Sequence, residues 1–200
     1  TQLQYGQTSQ TQQRYGQMLN TPISLKADGG LKMQHKTDMN LGLKNIWEVV
    51  CRDSEGNEKW REVNKNLVTT VGLNHVLSST LDGATQITAW YVGLKGAGSA
   101  AAGDTMASHS GWAEVVAYSQ AVRQTLTLGT AAAGSIDNTA SKATYSINGT
   151  ATVAGAFINS NNAKSGTAGT LYGVVDFGSS RAVISGDTLE VTVTLTAASA

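Results

Sequence analysis

Residues 189–196 read Leu189-Glu190-Val191-Thr192-Val193-Thr194-Leu195-Thr196, an unbroken alternation of apolar and polar side chains. Successive side chains of a strand point to opposite faces, so the two leucines and two valines share one face, and Glu190 and the threonines share the other. A strand with one dry face and one wet face belongs to antiparallel sheet. Upstream, residues 121–128, 143–147, 151–158 and 169–177 are further strand candidates, rich in β-branched residues and parted by Gly, Ser and Asn turns. Nothing repeats as a strand–helix–strand unit. The fold class expected is all-β, an antiparallel β-sandwich or jelly roll.

The middle of the chain adds a hairpin and a helix. Ile46-Trp47-Glu48-Val49-Val50-Cys51-Arg52 alternates, Asp53-Ser54-Glu55-Gly56-Asn57 turns, and Lys59-Trp60-Arg61-Glu62-Val63 returns, with Trp60 expected opposite Trp47 or Val49. A threonine N-cap followed by Val71, Leu73, Val76 and Leu77 predicts one short amphipathic helix ending near Asp82-Gly83. Residues 86–94 read as a buried strand.

The first 44 residues differ in kind. They are rich in Gln and Thr, show neither helical nor strand periodicity, and repeat one phrase: Gln4-Tyr5-Gly6-Gln7 returns as Arg14-Tyr15-Gly16-Gln17. Ala27-Asp28-Gly29-Gly30 is a turn or hinge. A segment so poor in aliphatic residues cannot offset the roughly 1–2 kcal/mol per residue of backbone entropy lost on ordering. The organisation expected is an extended N-terminal arm, 1–44, and a β-sandwich domain, 45–200. The arm's few anchors, Leu3, Tyr5, Tyr15, Met18, Leu19, Ile23 and Leu25, are candidates for burial on a partner chain.

Composition narrows function. Fourteen basic and 14 acidic residues cancel, so no basic surface advertises nucleic acid. Charged residues make up only 14% of the chain, against about 25% in ordinary soluble proteins, which leaves a surface poorly protected against association. No apolar run is long enough to span a membrane, and the opening residues lack a signal-peptide layout, so cytosolic synthesis is expected. Cys51 is the only cysteine and can form no intrachain disulfide.

Chemistry is sparse. His35, His75 and His109 stand at no metal-ligand spacing, and no metal or cofactor is expected. Asp104, Ser108 and His109 are close in sequence, but a triad is made by geometry, and Asp104 with Ser108 suits the cap and first turn of a short helix. Gly93-Leu94-Lys95-Gly96-Ala97-Gly98 lacks the order of a phosphate loop. Trp47, Trp60 and Trp90 sit in strand-like stretches and read as core. Trp112, after Ser110-Gly111, is the candidate for an exposed contact.

The stretches IWEVVCRDSEGNEKW (46–60), KNLVTTVGLNHVL (65–77), AWYVGL (89–94), AAGDTMASHSGW (101–112) and SGDTLEVTVTLTA (185–197) resemble a family of tailed-bacteriophage virion structural proteins, of head-decoration, cement or tail-fibre-like type. The likeness covers about three quarters of the chain and excludes the first 42 residues. It implies a non-enzymatic virion component, assembled in host cytoplasm, with the major capsid protein or other virion proteins as partners and a homo-oligomeric state. Alternatives are a tail or head-fibre part and, from a different class, a glycan-binding module acting through Trp112.

Overall fold

A computed structural model describes residues 24–25, 31–32 and 42–198. The chain divides into two units, 1–40 and 41–199. Within the first, β1 (Ser24–Leu25) pairs antiparallel with β2 (Leu31–Lys32), flanking the stretch read as a turn. The turn residues themselves lie outside the described residues.

The second unit is a β-sandwich of two antiparallel sheets, as the alternating strands foretell. Its long strands are β3 (Gly42–Arg52), β4 (Glu58–Lys65), β11 (Ala151–Asn159), β12 (Leu171–Val183) and β13 (Thr188–Ala198). Shorter ones are β5 (Leu67–Val68), β6 (Tyr91–Lys95), β7 (Glu114–Val115), β8 (Gln124–Thr125), β9 (Ser135–Asp137) and β10 (Ala143–Ser146). One sheet runs β10-β13-β3-β4, with β9 also on β13. The other runs β5-β12-β11-β6-β7, with β8 also on β6.

The alternation of β13 sets the layers. Leu189, Val191 and Val193 bury against Trp47, Val49 and Cys51 of β3, and across the sandwich against Val92, Leu94, Val153, Ile158 and Val175. The wet face carries ion pairs instead: Arg61 bonds both Glu48 and Glu58, and Glu190 meets Arg52 and Lys142. Val50, on that outer face, is nevertheless buried, among residues that form this network.

The Asp53 turn forms as expected: its carboxylate accepts from the backbone of Glu55 (3.0 Å) and Asn57 (2.8 Å), and Gly56 takes a positive φ of 88°. The expected Trp60 register is corrected, since Trp60 pairs with Cys51 across β3 and β4. Its ring meets Phe177 edge-on at 6.1 Å, and its Nε1 donates to the Ala182 carbonyl. Two strand expectations shrink: 121–128 keeps only β8, and 86–94 begins pairing only at Tyr91.

The second face of the β5–β7 sheet is covered too. Phe157 and Val174 point away from the inter-sheet core and pack with Leu171, Met106 and Trp112. The Phe157 ring lies over Gly93, where any Cβ would overlap it. Residues 96–112 and the helix form this cover.

Candidate interaction surface

The helix α1 (Thr70–Leu81) begins where Thr69 accepts from the Gly72 amide at 3.1 Å, the N-cap expected of a threonine. The same hydroxyl donates to the Leu171 carbonyl of β12, so one side chain both starts the helix and ties it to the sheet. Gly72 completes the docking. A Cβ there would collide with the Tyr172 carbonyl, so only glycine lets the helix lie this close.

That close approach rotates the helix away from the face its sequence advertises. Gly72 and Val76 turn inward, whereas Leu73, Leu77 and Leu81, spaced i, i+4 and i+8, line the solvent side. Their exposures are 40%, 50% and 78%. The expectation that Leu73 and Leu77 share the buried face is thus corrected. Among the described residues this is the one helix, and it presents an apolar stripe to water.

Trp112 moves the other way. It is 6% exposed, not an exposed contact, and the reason is its surroundings. Its Nε1 donates to Asp104 Oδ2 at 2.8 Å, His109 stacks on it at 4.0 Å, and Phe157 closes the far side at 5.2 Å. Asp104 therefore anchors an indole and the Ala101 amide; no short helix forms at 104–108. His109 Nδ1 lies 3.0 Å from the Trp112 carbonyl, so Asp104, Ser108 and His109 assemble no relay.

Leu3, Tyr5, Tyr15, Met18, Leu19 and Ile23 lie outside the described residues, and Leu25 ends β1.

Charge is buried at several points the sequence did not mark, two of them around the most deeply buried cations, Arg123 and Lys95. Arg123 donates two parallel bonds to Glu114 (2.9 and 2.7 Å) and two more to the carbonyls of Asn161 and Gly166, with its guanidinium over the Phe157 ring. Lys95 pairs with Asp176 at 2.8 Å and donates to the carbonyls of Gly96 and Gly98. Every charge here is spent on holding loops, and neither cluster contains an activated nucleophile. The only sequence signal was a charged residue inside an apolar stretch.

Cys51 is fully buried; burial, with the neighbouring Asp187 charge, pushes its thiol up to about 12, a poor nucleophile at neutral pH. Among the described residues no three His, Cys, Asp or Glu side chains gather where they could hold a metal. Among them, too, no helix is long and apolar enough to cross a membrane. No protein-family model matches the chain, and no curated protein matches it.

Proposed function

We propose that this chain is a non-enzymatic structural protein of a tailed-bacteriophage virion, decorating or cementing the head by docking its sandwich on the shell while its arm crosses neighbouring subunits. The observation that carries the docking step is the leucine stripe of α1. Three leucines on a solvent-facing helix gain about 25 cal/mol for each Å² they bury on a partner. The low charge of the chain lowers the opposing cost of desolvation. The setting rests on the resemblance of the motif series to virion structural proteins, and the glutamine-rich arm suits the addition of a strand to a neighbour's sheet edge.

The test is copy number on purified particles, read by quantitative mass spectrometry. The unaltered chain is expected in numbers matching the shell. Leu77→Asp/Leu81→Asp is expected to lose at least about tenfold in occupancy, the effect of removing one to two kcal/mol of interface energy. Deleting residues 1–30 is expected to lower both occupancy and the heat resistance of the particle. Full occupancy for both variants sinks the proposal, and a handful of copies per particle replaces the shell with the tail or a vertex fibre.

A further inference from the structure

Beside α1, at one margin of the sandwich, lies a cavity of about 260 Å³. Its walls come from the helix, from 86–90 and from both sheets. The wall aromatics are paired edge to face: Trp90 meets His75 at 5.6 Å and Tyr172 at 5.7 Å. Deeper in, Leu126, Ile158 and Leu195 make an apolar floor, and Ser79 and Gln86 offer polar groups nearer the surface.

Three features define what fits. Among the described residues no Asp, Glu, Lys or Arg side chain lines the cavity, so a charged ligand would give up its hydration for nothing. The volume falls just below the roughly 300–1,000 Å³ of sites for drug-sized ligands, which suits a single ring. The edge-to-face aromatics leave places for another ring at the usual 4.5–7 Å separations.

The polar groups that line the cavity, the Ser79 hydroxyl and the Gln86 amide, lie toward its mouth, where a ligand hydroxyl can pair with them while its ring packs below. Behind the floor, Asn45 is opposite Leu195 on the same face of the β3–β13 pair. It is 2% exposed, and its amide is turned to the Tyr172 phenol, which burial raises and that contact pulls back.

We propose that this cavity binds one uncharged aromatic ring bearing a hydroxyl, the chemistry of a phenol or of a tyrosine side chain. The ring packs among Trp90, His75 and Tyr172 with its hydroxyl toward Ser79 and Gln86. Smaller sugars meet an apolar floor that leaves their hydroxyls unpaired, and are rejected.

The probe is p-cresol, added to the full-length chain while the Trp90 indole N–H is followed by NMR. Saturable shifts with a Kd of about 0.1–1 mM are expected for a ligand this small. Benzene is expected to bind more weakly for want of the hydroxyl, and glucose not at all. Ser79→Trp, which fills the cavity from the helix, is expected to weaken p-cresol at least about tenfold. His75→Ala, which opens the wall instead, is a second variant should the first fail to fold.

A peptide of residues 1–25, carrying Tyr5 and Tyr15, separates two sources of the ring. Competition with p-cresol that is lost when both tyrosines are changed to alanine assigns the ring to a peptide, and binding of p-cresol without such competition assigns a free phenol. Absence of saturable shifts up to about 10 mM overturns the site. So does glucose binding as tightly as p-cresol, or binding indifferent to both variants.

Discussion

Arg123 carries a full charge with none of its side chain open to water, facing Glu114, which is nearly as deep. Taking two such charges out of water costs several kcal/mol each, repaid only because the guanidinium fork matches the carboxylate and its spare N–H groups reach two carbonyls. Arg123→Met is therefore expected to cost about 3–5 kcal/mol, because it strands Glu114 as an uncompensated buried anion. Arg123→Met/Glu114→Met should lose less than the single change, the remaining loss being the carbonyls of Asn161 and Gly166 and the Ser165 amide that Glu114 accepts from. Urea denaturation of the three proteins measures this. A double variant worse than the single one contradicts the account, since then packing and not stranded charge sets the loss. Lys164 plays a milder part nearby, donating to the carbonyls of Tyr118 and Gln120 at 2.7 and 2.9 Å.

Strand β13 depends on an element that is not a strand. On one edge β3 pairs with it along its whole length. On the other, β10 covers its start and β9 its end, which leaves a gap around Thr192. Asn138 closes that gap with its side chain: Oδ1 accepts from the Val193 amide at 2.6 Å and Nδ2 donates to the Val191 carbonyl at 3.1 Å. Both bonds are buried, so Asn138→Ala leaves two backbone groups unsatisfied and is expected to cost about 2–4 kcal/mol. The Val193 amide should exchange faster with solvent in the variant than its β3-bonded neighbours do. Equal exchange and an unmoved urea midpoint would falsify the bridging role. The strand Asn138 serves was legible because its alternation is complete, β3 and β4 as the two arms of a hairpin around the Asp53 turn, and β11 as an apolar run between turns, buried on both faces. β12 was legible only to residue 177. Beyond it, Gly178-Ser179-Ser180-Arg181 carries no apolar pattern, yet the strand continues because the start of β11 supplies its partners. β8 was over-read, since Arg123 bends out of the alternation to reach Glu114. The stripe on α1 was visible as a spacing, but which side of the helix faced water was decided by Gly72, and a close approach to Tyr172 is not written in residues 70–81. Trp112 was misjudged because its partners Asp104 and Phe157 are brought together only by the fold.

The core between the two sheets holds four weak acids kept neutral. Cys51, Tyr118, Tyr145 and Tyr172 all sit in the core between the sheets, and burial is the largest cause raising each of them. Tyr145 donates to the Val92 carbonyl at 2.6 Å and meets the Tyr118 ring edge-on at 4.8 Å, an arrangement made for phenols and not for phenolates. An acid whose folded pKa lies above its unfolded one contributes its full stability while both states hold the proton. That contribution is lost as pH rises, because the unfolded chain releases a proton that the folded chain must keep. For Cys51 the window runs from its ordinary value of 9.0 to about 12. The tyrosines add theirs from about pH 10 upward. Each group removes about 1.4 kcal/mol per pH unit inside its window. Thermal melting should therefore be level from about pH 7 to 8.5 and fall by about 10 °C at pH 10.5, where roughly 4 kcal/mol has been withdrawn. Cys51→Ala should move the onset of that fall up by about one pH unit, to where tyrosine ionisation begins. A melting temperature unchanged between pH 8 and 10.5 means that the unfolded chain gains nothing by ionising, and that the core does not hold these four groups apart from water.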